Sequence, residues 1–486
     1  MQRTFITNLA LVLVLNLLVK PFYILGIDAG VQEAVGATVY GSYAALLSLG
    51  FLLNIVLDLG ITNYNTRHIA QHTHLMGKYF SGVVGVRVVL AGLYAVLSIG
   101  TGLLLGYSGA QLGMLGWLVF NQVLVATILY LRSNIAGAQR YRTDSLLSVL
   151  DRVLLIGMVG WALWGRASGT PFRIEWFVWA QTIAYGVTAL VALVIVLRLS
   201  GRVRVGWNPA FGRVVLRQSF PYALLVLLMT FYYRTDTLML ERMLPDGAFQ
   251  AGVYYQGFRF FEAFNMLGFL FAGLLLPMFS RLLAPNTGDR AGLDPLVSLS
   301  FRLVLAGSIA VAVFGAARSQ AVMDLLYSSH TERSAPVFAL LIWSFVAVST
   351  TYIFGTLLTA KGDLRTLNLL AAGGAVVNIG LNLVLIPMWK AEGAAWASLV
   401  TQVATALAQL VLATRVLGLK TPYGILLRGA GYGLATMIVV WVMDWIALVP
   451  VLELVVYGVC ATGLAMVTGM VDLRGLRNTL GEAPEG

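Results

Sequence analysis

The sequence predicts an all-α polytopic membrane protein, and three observations predict it: the composition, the length of the apolar runs and the distribution of basic residues. Of the 486 residues, 59% are hydrophobic and 11% are charged, and the mean hydropathy is +0.84. A soluble domain carries roughly 25% charged residues. Apolar runs recur from end to end, each long enough to cross a hydrocarbon core about 30 Å thick as a helix. Helices are therefore the expected spanning structure.

The apolar runs predict about fourteen membrane-spanning helices. The predicted spans are 8–27, 41–62, 83–106, 112–132, 146–165, 176–198, 218–241, 252–276, 299–317, 336–359, 366–388, 393–415, 425–448 and 450–470.

The basic residues orient these spans. Of the 32 lysines and arginines, assigning the connections alternately to two sides puts about twenty on one side and about six on the other, and the rest lie within spans. Because cytoplasmic connections are enriched in lysine and arginine, we expect both termini in the cytoplasm. The formal charge of +11 is then explained by the cytoplasmic lysines and arginines that orient the protein in the membrane. We expect no nucleic-acid partner.

A short internal similarity predicts two repeats. Val39–Tyr43 opens the second predicted span and Gly252–Tyr255 opens the eighth. A six-helix repeat enters from the same side each time, so the two copies would be parallel repeats, an arrangement known among transporters. We expect a six-helix lobe at 1–200, a basic cytoplasmic linker at 201–217, a second six-helix lobe at 218–417 and two additional helices with a cytoplasmic tail at 418–486.

The sequence lacks the signatures of several site types. The one cysteine, Cys460, lies in an apolar run, and no Gly-x4-Gly-Lys-Ser/Thr phosphate loop is present. His68, His72 and His74 offer one i, i+4 spacing, which we interpret as a solvated surface and not as a metal site. We expect no cofactor, no metal and a non-enzymatic transporter.

Ionisable residues inside spans are the candidate functional residues, because a charge at mid-bilayer is costly unless it faces a partner or a cavity. Arg234 and Arg259 both lie roughly 10 Å from the outer boundary at 1.5 Å per residue, with Asp236 and Glu262 near the same depth. These four could form an ion network that pins two helices together. They could also line a hydrated cavity in which guanidinium groups bind an anionic head group. Further anion-binding candidates are Arg152, Arg87, Arg302 and Lys20, and further ion-pair or coupling candidates are Asp151 and Asp58.

Several segments, in order along the chain, carry a resemblance to a known family. They are Tyr40–Tyr43, Leu57–Ile61, Tyr233–Leu240, Gly252–Tyr254 and Pro277–Ser280. With them the sequence resembles the polysaccharide and O-antigen (Wzx-like) flippases of the multidrug/oligosaccharidyl-lipid/polysaccharide (MOP) exporter superfamily.

The resemblance implies a bacterial inner-membrane protein of two parallel six-helix lobes plus two C-terminal helices. It would flip an undecaprenyl-pyrophosphate-linked oligosaccharide, such as an O-antigen repeat unit, by alternating access. Its partners would be this polyprenyl-pyrophosphate-linked glycan and membrane lipids, with a proton or sodium ion as candidate coupling ion and other polysaccharide-assembly proteins as candidate contacts. A lipid II flippase and a cation-coupled multidrug antiporter of the same superfamily stay open as alternatives, and a polytopic polymerase or ligase is less favoured because the outer connections are short.

Overall fold

The fold is taken from a computed structural model. The residues that it describes are 18–62, 65, 69, 76–138, 140–165, 171–200, 224, 227–231, 233–283, 292–419, 422–446 and 449–471.

Every regular element in these ranges is helical, as the sequence predicts. A π-helix, Tyr23–Asp28, is followed by α1 Ala29–Val35, α2 Ala37–Leu53, α3 Ile55–Asp58, α4 Met76–Leu104, α5 Gly109–Gly137, α6 Tyr141–Trp164, α7 Ile174–Ser200, α8 Gly247–Leu282, α9 Leu293–Ala317, α10 Ser319–Leu326, α11 Thr331–Lys361, α12 Leu364–Leu417, α13 Pro422–Met443 and α14 Pro450–Val467.

Ten helices among the described residues are long and apolar enough to cross a membrane. One of them, α12, consists of two helices joined at Lys390, whose φ of 53° and ψ of −126° are not helical. The Lys390 ammonium contacts the Asp246 carboxylate at 3.0 Å. A hydrogen bond from Gln250, together with Lys390, holds the pKa of Asp246 below its usual value, although partial burial opposes this.

The helical membrane class is confirmed, whereas the count of fourteen and the cytoplasmic termini stay predictions.

The chain forms two compact units. Unit 1 comprises Met1–Arg259, Leu326–Ser329 and Ile379–Ala394, and unit 2 comprises Phe260–Leu325, His330–Asn378 and Ala395–Gly486. The predicted basic linker at 201–217 lies outside the described residues. The division into repeats at that linker therefore stays a prediction.

In unit 1, α2 and the start of α8 touch backbone to backbone. A Cβ atom added to Gly41 would overlap the carbonyl oxygen of Ala248, and one added to Gly252 would overlap the carbonyl oxygen of Ala37. Small residues at helix contacts allow such approach in membrane proteins. The two segments that the sequence analysis paired as equivalent are thus in direct contact at their glycines.

The π-helix Tyr23–Asp28 begins two residues after Pro21. Proline removes a backbone donor and perturbs the helix that contains it, and π-turns are rare and frequently occur at functional sites. The widened turn carries Tyr23 at one end and Asp28 at the other. The altered helix geometry therefore follows directly after Pro21.

In unit 2, Arg318 joins the end of α9 to the hairpin of α13 and α14. Its Nε donates to Glu453 Oε1 and its Nη2 to Asp444 Oδ1, both at 2.5 Å. Although partial burial acts against the charge, these two hydrogen bonds raise the pKa of Arg318 above its ordinary value. The hydroxyl of Tyr457 donates to the carbonyl of Ala310 at 2.8 Å, which adds a second tie between α14 and α9.

We expect Gly41→Ala and Gly252→Ala to destabilise unit 1 by about 1–3 kcal/mol each, because the added methyl group meets backbone that cannot move aside. Thermal unfolding of the purified protein measures this as a midpoint several degrees lower. Gly100→Ala is the matched control, since a Cβ there meets no atom within 4 Å. Equal melting of all three variants would show that the helices do not cross at these glycines.

We expect Arg318→Ala to loosen the α13–α14 hairpin without unfolding unit 2. The loss is about 1 kcal/mol because the Asp444 carboxylate is half exposed and solvent weakens such pairs. Hydrogen–deuterium exchange should rise at 440–456 and stay unchanged in α11. Arg173→Ala is the control. It removes an ion pair with Glu175 in which the Arg173 side chain is 66% exposed, so the exchange of both segments should stay unchanged.

Candidate anion-binding site

Arg259 is the most enclosed cation among the sequence-selected residues and lies in unit 1. It is 4% exposed, and its Nη1 lies 2.5 Å from Asp28 Oδ2. Its guanidinium also lies 4.5 Å from the ring centre of Tyr255 and 5.3 Å from that of Tyr40. A carboxylate and two aromatic faces therefore replace the water that the charge would hold outside the membrane.

Arg234 reaches the same aromatic group from the preceding helical segment. Its Nη1 donates to the hydroxyl of Tyr255 at 2.9 Å, and its guanidinium lies over the rings of Phe51 at 4.5 Å and Phe258 at 5.5 Å. Because Tyr255 contacts both arginines, the structure brings together the two cations that the sequence analysis placed at matching depth.

Asp236 is fully buried and accepts two hydrogen bonds. The hydroxyl of Tyr254 donates at 2.8 Å and the amide of Asn382 at 2.6 Å. Tyr40, at the place in the first repeated segment that Tyr254 holds in the second, donates its hydroxyl to Asp28 at 2.7 Å. Each of the two segments thus supplies a tyrosine that donates to a buried aspartate of a preceding helical segment, and the repeat itself stays a prediction.

A second cationic group lies at the other end of the π-helix. Arg152 donates to the hydroxyl of Tyr185 at 3.3 Å, lies 4.6 Å from the ring centre of Tyr23 and is 3.7 Å from the carboxylate of Asp151. Lys20 is half-buried and interacts electrostatically with both Arg152 and Asp151. Two cations near one carboxylate leave this group with a net positive charge.

Arg87 and Asp58 form an ion pair that joins neighbouring helices. Arg87 donates to Asp58 at 2.9 Å and to the carbonyl of Ala126 at 2.7 Å, and it lies over the ring of Tyr130. Asp58 also accepts from the backbone N–H of Thr62 at 3.2 Å. The pair ties the end of α3 to α4 and α5, which satisfies both charges locally.

The remaining sequence-selected residues do not lie in unit 1 or are not described. Arg302 and Glu262 belong to unit 2, and the Nε of Arg302 is buried without a hydrogen-bond partner in the part of the chain that the structure describes. His68, His72 and His74 lie outside the described residues.

Sequence reasoning did not select the residues that complete the site around Arg259. Asp28 lies one residue beyond the predicted end of the first span, so it was not counted as an intramembrane charge. Tyr254 and Tyr40 were recorded as part of the repeat and of the family resemblance, and not as site residues. A signal was present nonetheless, because tyrosine hydroxyls in apolar segments usually find a polar partner when they are buried.

The arrangement of Arg259 and Arg234 offers hydrogen-bond donors that suit an anion. Guanidinium offers five donors in a planar fork that matches phosphate oxygens, and such charge-assisted hydrogen bonds are about twice as strong as neutral ones. Asp28 presents two oxygens to Tyr40 and Arg259. An anionic oxygen from a ligand could take the same donors.

Comparison with known proteins identifies the family. The profile of the polysaccharide biosynthesis protein family matches residues 8–283, which is more than half of the chain. A search of curated proteins finds no match.

Solved structures show the fold. The lipid II flippase MurJ in an inward closed conformation has a TM-score of 0.73 at 11% identity, covering 98% of this chain and 99% of that one. A mutant of the Vibrio cholerae MATE transporter VcmN has a TM-score of 0.58 at 16% identity, covering 85% and 98%. A MOP superfamily transporter from Pyrococcus furiosus, whose binding pocket is described as reversed in polarity, has a TM-score of 0.55 at 13% identity, covering 85% and 94%.

At these identities the structural likenesses establish the fold, and the family profile establishes membership. The chain therefore belongs to the polysaccharide biosynthesis protein family, and it has the fold of the MOP superfamily of flippases and transporters.

Proposed function

We propose that this protein flips an undecaprenyl-pyrophosphate-linked oligosaccharide, a repeat unit of a surface polysaccharide, across the bacterial inner membrane by alternating access. The observation that carries the proposal is the pair of arginines, Arg259 and Arg234, that meet at Tyr255 inside an apolar helical unit. Such a position is costly for a cation, and a pyrophosphate head group is an anion that two guanidinium groups suit.

In the proposed mechanism Asp28 holds the place of the substrate phosphate. It neutralises Arg259 while no anion is present, which keeps the buried charge paired. A pyrophosphate oxygen then takes the donors of Arg259, while Asp28 keeps the hydroxyl of Tyr40. Arg234 would bind the second phosphate, since it contacts the hydroxyl of Tyr255 while Arg259 lies over the ring of the same residue.

The cationic group of Lys20 and Arg152 would attract the same head group from the basic side of the membrane. Its net positive charge favours an anion, and Tyr23 connects it to the π-helix that carries Asp28. Asp236 and Glu262 stay candidates for a coupling ion, with Asp236 already in a polar pocket of Tyr254 and Asn382.

Two alternatives differ in substrate. A lipid II flippase would use the same site, because its substrate shares the pyrophosphate-polyprenyl anchor. The lipid II flippase structure and the MATE transporter structure are both similar in fold, so the fold does not choose between a lipid-linked substrate and a drug. A multidrug antiporter would be expected to present carboxylates to its cationic substrate, and the candidate site here is built on arginines.

We expect Arg259→Gln to reduce surface polysaccharide about 10- to 100-fold at matched protein level, because one charge-assisted contact is worth about 1.5–3 kcal/mol. Arg259→Lys should recover little, since lysine does not bind two oxygens in a fixed plane. Quantitative polysaccharide blots measure the effect, and Arg173→Gln, an exposed arginine, is the control. Full export in both Arg259 variants would remove Arg259 from the site.

Measurements of stability distinguish a role of Asp28 and Arg259 in substrate binding from a role in helix packing. We expect Asp28→Asn to lower stability by about 3–5 kcal/mol, because it leaves a buried arginine without its carboxylate. The double variant Asp28→Asn with Arg259→Gln should regain most of that loss in thermal unfolding and still fail to export polysaccharide. Export by this stable double variant would mean that the pair only holds the helices together.

Deletion of the gene decides between the substrates. We expect an undecaprenyl-pyrophosphate-linked oligosaccharide to accumulate on the cytoplasmic face, measured by extraction and mass spectrometry of the lipid-linked intermediates. Accumulation of lipid II with lysis would instead identify a lipid II flippase. Unchanged glycans with lost drug resistance would identify an antiporter.

A further inference from the structure

A groove in unit 1 lies apart from the candidate anion-binding site. It has a volume of about 620 Å³ and lies between α4, α5 and α7, within the size range of ligand sites, about 300–1,000 Å³. Its lining is aliphatic and aromatic, with Arg87 as the one charged residue that lines it. Arg87 is already bound to Asp58 and to a backbone carbonyl, so the groove presents an apolar surface.

Small residues create the groove. Ala91 of α4, Ala126 of α5, and Gly186 and Ala189 of α7 line it. A Cβ atom at Gly186 would meet no atom within 4 Å. Because the rim of the groove is exposed and its apolar walls do not hold water, a hydrocarbon chain is the occupant that fits it.

The shape of the groove matches one lipid chain. Along α7 its lining runs from Gly186 to Leu197, which is roughly 17 Å at 1.5 Å per residue. One leaflet of a hydrocarbon core is about half of 30 Å thick. The rim opens toward lipid, since Val88 is 67% exposed and Leu190 is 61% exposed.

A positive charge at one end of the groove favours a lipid with an anionic head group. The lining ends at Leu197, three residues before the end of α7, and the next residue, Arg198, is an exposed cation in the last turn of that helix. Basic residues at the membrane surface attract anionic lipid head groups.

We propose that this groove binds one acyl chain of an anionic phospholipid from the leaflet at the Ser200 end of α7, with the phosphate of the head group at Arg198. The lipid is a bound component of the membrane and not the transported substrate. Such a lipid fills the space that the small residues leave, and it ties the three helices of unit 1 together at the basic side.

The test uses the full-length protein reconstituted in vesicles with a phosphatidylglycerol that carries a photoreactive diazirine in its acyl chain. We expect crosslinks, mapped by mass spectrometry, on peptides of α4, α5 and α7. Gly186→Leu should reduce their yield at least fivefold by filling the groove. Gly157→Leu is the matched control and should keep the full yield, because Gly157 lies on the exposed face of α6, where a Cβ meets no atom within 4 Å.

Two further variants test the proposal even if Gly186→Leu does not fold. Leu190→Trp covers the rim without entering the helix contacts, so it should also lower the yield if Gly186→Leu fails to fold. Arg198→Gln should abolish the preference of the wild-type groove for a phosphatidylglycerol probe over a phosphatidylcholine probe. Undiminished crosslinks in Gly186→Leu and Leu190→Trp, or equal labelling of the wild type by both probes, would overturn the proposal. Displacement of the probe by an equimolar polyprenyl phosphate would assign the groove to a substrate tail and also overturn it.

Discussion

The backbone contact between α2 and α8 at Gly41 and Gly252 is the constraint on which the rest of unit 1 depends. Only residues without a Cβ allow two helices to approach so closely. At this separation the ring of Tyr40 lies 5.9 Å from that of Tyr255, and Arg259 reaches Asp28. A larger residue at either glycine would separate the carboxylate from the cation, so the packing of two small residues determines the electrostatics of the site.

The buried and partly buried arginines that the candidate residues of unit 1 include all lie close to aromatic rings. Arg87, Arg152, Arg234 and Arg259 each lie within about 6 Å of at least one aromatic ring centre. They differ in what else they contact. Arg87 is neutralised by Asp58 and a backbone carbonyl, which suits a permanent tie between helices. Arg259 is held by a carboxylate on a π-helix, an element that is rare and frequent at functional sites.

The family and the fold narrow the function to lipid or solute movement, and the proposed substrate depends on the candidate site. MOP superfamily folds host both flippases and drug transporters, so fold alone does not choose between them. The choice rests on the sign of the charge in the site. Guanidinium groups placed around Tyr255 favour a phosphate, and the proposed lipid groove at α7 would use a separate arginine at the membrane surface.

The sequence by itself determined the membrane class, the helical architecture and the intramembrane cations, because hydrophobic length and the cost of a buried charge can be read from local composition. It also found the two segments that meet at their glycines. Only the tertiary structure decided which charges pair. Arg259 contacts Asp28 across 231 positions of the chain, and Asp236 contacts Asn382 across 146. The depth of a residue along its helix does not show how that helix is rotated about its axis or which helices pack beside it. The rotation and the packing partners decide which side chains meet.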